Sequence, residues 1–235
     1  MLRERRKKII IIAVLMFAVV GISLGFAAFS NNLKISASSE VQPLNTLKVL
    51  FSSSNLTQEE IPGNIAVTLV PNGETTNYPA FSASTPVISN ADVTSPVLSN
   101  LKATFVRPGE SVSYLLYIHN ASSYDASLIS IAFGNKRCTA KTGTSQSLVD
   151  RACSEIDISV TVGGGTGEPT AVSKTQNTSS SNVVNNHVLG AGEYETVLVR
   201  LSYADLSSGA GNTDINGDFD VTFGDVTLTY TSANE

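Results

Sequence analysis

Beyond residue 30 the chain alternates apolar and polar side chains with a period of two, the spacing at which a strand sends successive side chains to opposite faces. Leu33–Ala37, Leu47–Phe51 and Ile65–Val70 are short runs of this kind, parted by Pro, Gly, Asn and Ser clusters. Leu101–Val106, Ser111–Asn120, Leu128–Phe133, Ile156–Val162, Tyr194–Tyr203 and Asp218–Tyr230 predict the stronger strands. In the last of these, Phe219, Val221 and Phe223 fall on one face and Asp218, Asp220 and Thr222 on the other. Such alternation marks a sheet with one buried and one solvated face. Many short strands with turn residues between them predict an all-β fold, an antiparallel β-sandwich of jelly-roll or Ig-like kind, rather than βαβ units. A helical turn is expected only around Ser147–Cys153. The polar, low-complexity stretch Gly163–Asn186 buries too little apolar surface to offset its ordering entropy and reads as a flexible loop over about 163–186. Arg107–Tyr114 and Gly190–Val197 look alike, each a Gly turn and a Glu leading into a long alternating strand; they read as β-turns opening core strands.

The first thirty residues follow a different pattern. Ile9–Phe29 carries no charge over 21 residues, and a helix of that length, at about 1.5 Å per residue, crosses a hydrocarbon core of roughly 30 Å. Arg3, Arg5, Arg6, Lys7 and Lys8 precede it and should stay cytoplasmic, which sends the remainder outside. Gly25-Phe26-Ala27 puts small residues at the −3 and −1 positions of a cleavage site between Ala27 and Ala28. Residues 1–29 therefore read as a signal peptide or a signal-anchor transmembrane helix, with both open, and residues 30–235 as the extracellular domain. Prepilin processing requires a Gly before the apolar run and a Glu soon after it. Lys8 abuts Ile9 and the next acid is Glu40, which argues against it.

Composition narrows the function. The chain has 235 residues, 42% hydrophobic and 15% charged, which excludes full disorder. Past the basic cluster the body holds ten basic and nineteen acidic residues, a net of −9 that disfavours nucleic acid as a partner. Cys138 and Cys153 enclose a short polar segment. Outside the cytoplasm they are most simply a disulfide, worth about 3 kcal/mol through loop closure. A loop with oxygen donors at Asp214, Asn216, Asp218 and Asp225 resembles an EF-hand or dockerin calcium site. Its sixth position is Phe219 where a Gly is needed, and the stretch alternates like a strand, so these residues are weak calcium candidates and no metal or other cofactor is expected. His119 and His187 come with neither a nucleophile elbow nor a zinc-binding HExxH helix, so no catalytic residues are assigned and an enzyme is not expected.

Two segments carry a resemblance. Gly25-Phe26-Ala27-Ala28-Phe29-Ser30-Asn31, at the end of a basic-then-apolar leader, resembles the processing region of the TasA/camelysin family of exported Gram-positive proteins. Val106-Arg-Pro-Gly-Glu-Ser-Val-Ser-Tyr, continuing through Ile118-His-Asn-Ala-Ser-Ser-Tyr-Asp-Ala, is similar to that family's turn–strand unit and to Ig-like surface repeats. Ala121-Ser122 stands where Asn-Gly is usual, and the Cys138–Cys153 pair is foreign to the fibre-forming members. The resemblance implies export and a jelly-roll-like body, with no catalytic residue to carry over. The resulting expectation is a non-enzymatic surface or biofilm-matrix structural protein, on the outer face of the membrane, on the cell surface or secreted. It would self-associate by β-strand addition through Ala28–Val41, with contact to the membrane through residues 9–29. The alternative is a membrane-tethered, monomeric binding or adhesion module.

Overall fold

The computed structural model describes residues 46–52, 65–72, 81–165, 170–176, 183–204 and 217–233. The leader, the cleavage site, the expected strand Leu33–Ala37, and Asp214 and Asn216 lie outside them. In chain order the strands are β1 (Val49–Ser52), β2 (Ala66–Val70), β3 (Ser82–Ala83), β4 (Val87–Ser89), β5 (Val97–Ser99), β6 (Leu101–Phe105), β7 (Ser111–Asn120), β8 (Ala126–Phe133), β9 (Lys136–Ala140), β10 (Ile156–Val162), β11 (Val172–Thr175), β12 (Val183–Leu189), β13 (Tyr194–Tyr203), β14 (Phe219–Phe223) and β15 (Val226–Ser232). Among the described residues there is one helix, α1 (Gln146–Cys153), between β9 and β10. The protein is mostly β and its sheets are antiparallel. A first sheet runs β1-β7-β13-β10-β11, with β2 also on β7; a second runs β12-β8-β15-β5-β4; a third runs β3-β6-β14-β9.

Period-two alternation puts one face of each sheet into a common core. Along β7, Val112, Tyr114, Leu116 and Ile118 are buried; along β13, Val197, Val199, Leu201 and Tyr203 are. They join Leu98, Leu128 and Leu228 of the second sheet and Phe105, Phe219 and Val221 of the third in one hydrophobic cluster. Tyr203 meets Phe105 edge-on at 6.1 Å and Phe219 at 5.7 Å, which ties the first sheet to the third. Each such side chain contributes about 1.5–3 kcal/mol by leaving water.

The second and third sheets are two halves of one creased ladder. β8 continues into β9 across Gly134–Asn135, β15 follows β14 across Gly224–Asp225, and β5 continues into β6 across Asn100, which holds a positive φ of 59°. Neighbours are the same on both sides of this line: β8-β15-β5 above, β9-β14-β6 below. Gly134 N–H donates to Asp225 O at 2.7 Å and Gly224 N–H to Asn135 O at 2.9 Å. A Cβ on Gly134 would lie 2.5 Å from the Gly224 Cα, and one on Gly224 would lie 2.8 Å from the Gly134 Cα. The crease exists because neither residue has a side chain. It also corrects the reading of Asp218–Tyr230 as one strand: the run breaks at Gly224–Asp225 into β14 and β15.

The two similar turn–strand units are related by an approximate twofold axis between β7 and β13. At one end, Gly109 N–H donates to Tyr203 O and Tyr203 N–H to Glu110 O; at the other, Gly192 N–H donates to Asn120 O and Asn120 N–H to Glu193 O. Each turn thus closes the far end of the strand that the other turn opens. The segment 163–186 departs from its reading as a flexible loop, because Val172–Thr175 forms β11 against β10 and Val183 begins β12 against β8. Backbone partners supplied by neighbouring strands stabilise these polar stretches where their own hydrophobicity does not.

Candidate functional site

Four chemically distinct places stand out, and all depend on how the sheets end. The first is the outer face of the third sheet. Lys102 and Thr104 on β6 and Asp220 on β14 alternate outward, and Lys141 follows β9. Asp220 sits 2.9 Å from Lys102 Nζ and 3.7 Å from Lys141 Nζ, and accepts a 2.7 Å hydrogen bond from Thr104 Oγ1. Burial pushes the Asp220 carboxyl up, but the hydrogen bonds from Thr104 and Lys102 and the charges of both lysines outweigh it and hold it below the usual carboxylate range. With Ser82, Ala83, Ser84 and Ala103 these residues line a polar groove of about 400 Å³.

The second place is sealed inside. His187 Nε2 lies 2.6 Å from Glu195 Oε2, with the side chains 1% and 0% exposed. His187 Nδ1–H donates to Thr170 O at 3.1 Å, and the Tyr230 hydroxyl donates to Glu195 Oε1 at 3.2 Å. Strand β12 is thereby tied to β13 of the first sheet and β15 of the second. Burial disfavours the charged imidazole, but the Glu195 hydrogen bond and charge, with the Thr170 carbonyl, more than compensate and raise its pKa. Burial, then the Glu195 charge, pushes the Tyr230 phenol far above its ordinary value. The trio has the proton-sharing chemistry of a catalytic acid–base pair, but it lies beneath the surface and its one hydroxyl is held protonated. The sequence points to His187 as a residue of interest but not to Glu195. The available signal was an acid at an inward position of β13, in register with buried Ile118.

His119 is elsewhere, on the outer face of the first sheet. Its ring stacks on Tyr194 at 4.1 Å and 5°, and burial, with Lys48 beside it, lowers its pKa. The two histidines therefore do not converge. Asp218 and Asp225 do not converge either. Asp218 pairs with Lys141 at 3.3 Å, and the extended strand β14 separates it from Asp225 by upwards of roughly 15 Å. Calcium ligands converge at about 2.4 Å, so these two carboxylates cannot share an ion. Among the described residues no cluster of three His, Cys, Asp or Glu side chains is arranged to hold a metal.

The conspicuous motif residues are committed to backbone. Glu110 accepts from Val106 and Arg107 N–H groups at 2.7 and 3.1 Å, which closes the turn before β7. Asn120 Nδ2 donates to the carbonyls of Tyr124, Leu189 and Gly190, so it joins the ends of β7 and β12.

The third and fourth places are sheet edges. On β9, the outward-facing Ala140 N–H donates to Gln146 Oε1 at 2.8 Å, and Gln146 Nε2 donates to Cys138 O at 3.3 Å. The carboxamide at the start of α1 thus bonds the edge as a neighbouring strand would. Val149 and Ala152 of α1 are buried, and the expected Cys138–Cys153 disulfide is present, anchoring the end of the helix to β9. On β2, by contrast, all five residues are exposed, and among the described residues no strand pairs with its outer side.

Comparison with family models, curated proteins and solved structures finds no match for this chain. Among the described residues no helix is long and apolar enough to cross a membrane; Ile9–Phe29 falls outside that range.

Proposed function

We propose that the protein is an exported, non-enzymatic structural component of the cell surface or extracellular matrix, whose body is a β-sandwich made of the first sheet and the creased ladder. The observation that carries this reading is the disulfide between Cys138 and Cys153, a bond that persists in oxidising surroundings outside the cytoplasm. The uncharged leader and the Gly25–Asn31 resemblance to TasA/camelysin proteins agree with it. Self-association proceeds by strand addition: Ala28–Val41, alternating at Leu33, Ile35 and Ala37, adds to an open sheet edge of the next copy. Deleting residues 28–41 from the full chain tests the mechanism. Sedimentation should show loss of the higher oligomers with an unchanged far-ultraviolet circular dichroism spectrum; oligomers that survive the deletion would rule out strand donation.

The groove beside Asp220 favours a second reading, a membrane-tethered binding module that keeps Ile9–Phe29 as its anchor. Serine and threonine hydroxyls beside a lysine–carboxylate cluster suit a polyhydroxylated ligand. Mass spectrometry of the mature N terminus separates the two. Ala28 at the N terminus indicates a released subunit, whereas Met1 or Leu2 indicates an anchor.

A further inference from the structure

Strand β2 is an unfinished part of the first sheet. Val67 and Leu69 are in register with Tyr114 and Val112 of β7, both wholly buried, and so face the core side. Yet Val67 is 37% and Leu69 42% exposed. Ala66, Thr68 and Val70 take the outer face, in register with Leu115, Ser113 and Ser111. Edge strands are normally protected by charge, proline, a bulge or a covering element. Residues 61–72 contain no charged side chain, within a body whose net charge of −9 otherwise makes like copies repel. The segment Ala66-Val-Thr-Leu-Val70 is also self-complementary. Two antiparallel copies centred on Thr68 set Val67 opposite Leu69 twice on the core side. On the outer side they set Ala66 opposite Val70 and Thr68 opposite Thr68, the last a favourable cross-strand pair, and no like charges meet.

We infer that β2 is a homotypic seam: two copies of this chain pair antiparallel, β2 to β2 about a twofold axis at Thr68, and join their first sheets into one. The inference goes beyond strand donation, which is head-to-tail and propagates; the seam is isologous and closes on itself. A five-residue edge is short, so the association is weak and concentration-dependent.

The test uses the full chain in mild detergent. The sequence has only two cysteines and they form the disulfide, so Thr68→Cys introduces the sole free thiol. Mild oxidation should convert most Thr68→Cys chains to a covalent dimer on non-reducing gels. Ser173→Cys, on the opposite edge strand β11, should give at least tenfold less. Adding Leu69→Lys to Thr68→Cys should cut the dimer by a similar factor with the circular dichroism spectrum unchanged. Equal cross-linking at positions 68 and 173, or cross-linking indifferent to Leu69→Lys, overturns the seam. Repeating Thr68→Cys in the chain lacking residues 28–41 separates the two ideas. Dimer there with the higher oligomers gone supports both; dimer with the higher oligomers kept supports the seam and removes donation. Loss of dimer from both chains removes the seam alone, and loss only on deletion also overturns it as an independent contact.

Discussion

The β9 and β2 edges pose the same physical problem and meet it in opposite ways. Both present unpaired backbone groups at the margin of an antiparallel sheet. At β9 a glutamine carboxamide stands in for the missing strand, a two-turn helix buries Val149 and Ala152 beside it, and a disulfide fixes the assembly. At β2, among the described residues, neither a charge nor a covering helix intervenes, and inward-facing aliphatics stay half in water. One edge is closed within the chain. The other is suited to a second copy.

A third margin, β12, sharpens the contrast because a buried polar contact ties it down. Removing one partner from a buried charge pair costs about 3–5 kcal/mol. Glu195→Ala should lose about that much in urea denaturation, and hydrogen exchange should accelerate first in β12; a change below 1 kcal/mol would mean that apolar packing alone holds this edge. The pair also sets a pH dependence. The folded pKa of His187 is raised above its unfolded value near 6.5. Its contribution is therefore complete below that value and is lost as pH rises through the folded pKa. Urea midpoints should fall on the alkaline side, and His187→Gln should flatten that fall.

The closed edge should break next. Cys138→Ser with Cys153→Ser opens a cross-link between residues 15 apart in sequence, and should cost about 3 kcal/mol and make the protein aggregate at lower denaturant. Gln146→Ala removes three hydrogen bonds at an exposed position, two to the β9 backbone and one to Asp150, and should cost about 1 kcal/mol, with faster amide exchange at Ala140 as its specific sign. The smallest effect belongs to the bare edge. Leu69→Thr should change monomer stability by no more than about 0.5 kcal/mol, because the side chain is already 42% exposed. A larger loss would mean that β2 is covered within its own chain.

How far these edges could be read in advance follows from where their stabilisation comes from. Ser111–Asn120 and Tyr194–Tyr203 are legible because their own alternation drives burial, and both form strands over those residues. Cys138–Cys153 was legible for a different reason, as the sole cysteine pair of a chain expected outside the cytoplasm, and the short helix was expected beside it. β9, Lys-Arg-Cys-Thr-Ala, carries little hydrophobic signal and is a strand because β14 offers its backbone. β11 and β12 emerge from a polar stretch by the same route. The His187–Glu195–Tyr230 contact joins residues 8 and 35 apart in sequence, so only the folded register brings it together. The oxygen donors on either side of β14 were only weak calcium candidates in the sequence; strand geometry separates Asp218 from Asp225 while Lys141 engages Asp218.

The crease at Gly134 and Gly224 links the two sides of the ladder. Each glycine occupies space that the other's side chain would need, so a methyl added at either position must push backbone apart. A second substitution across the line would only add to that crowding. The close approach of the two strands is thus set by missing atoms, and β14, which leaves this line, carries Phe219 and Val221 on its buried face and Asp220, between two lysines, on the other. Because β14 has both faces in use, pushing the strands apart there would be felt on both surfaces of the ladder together.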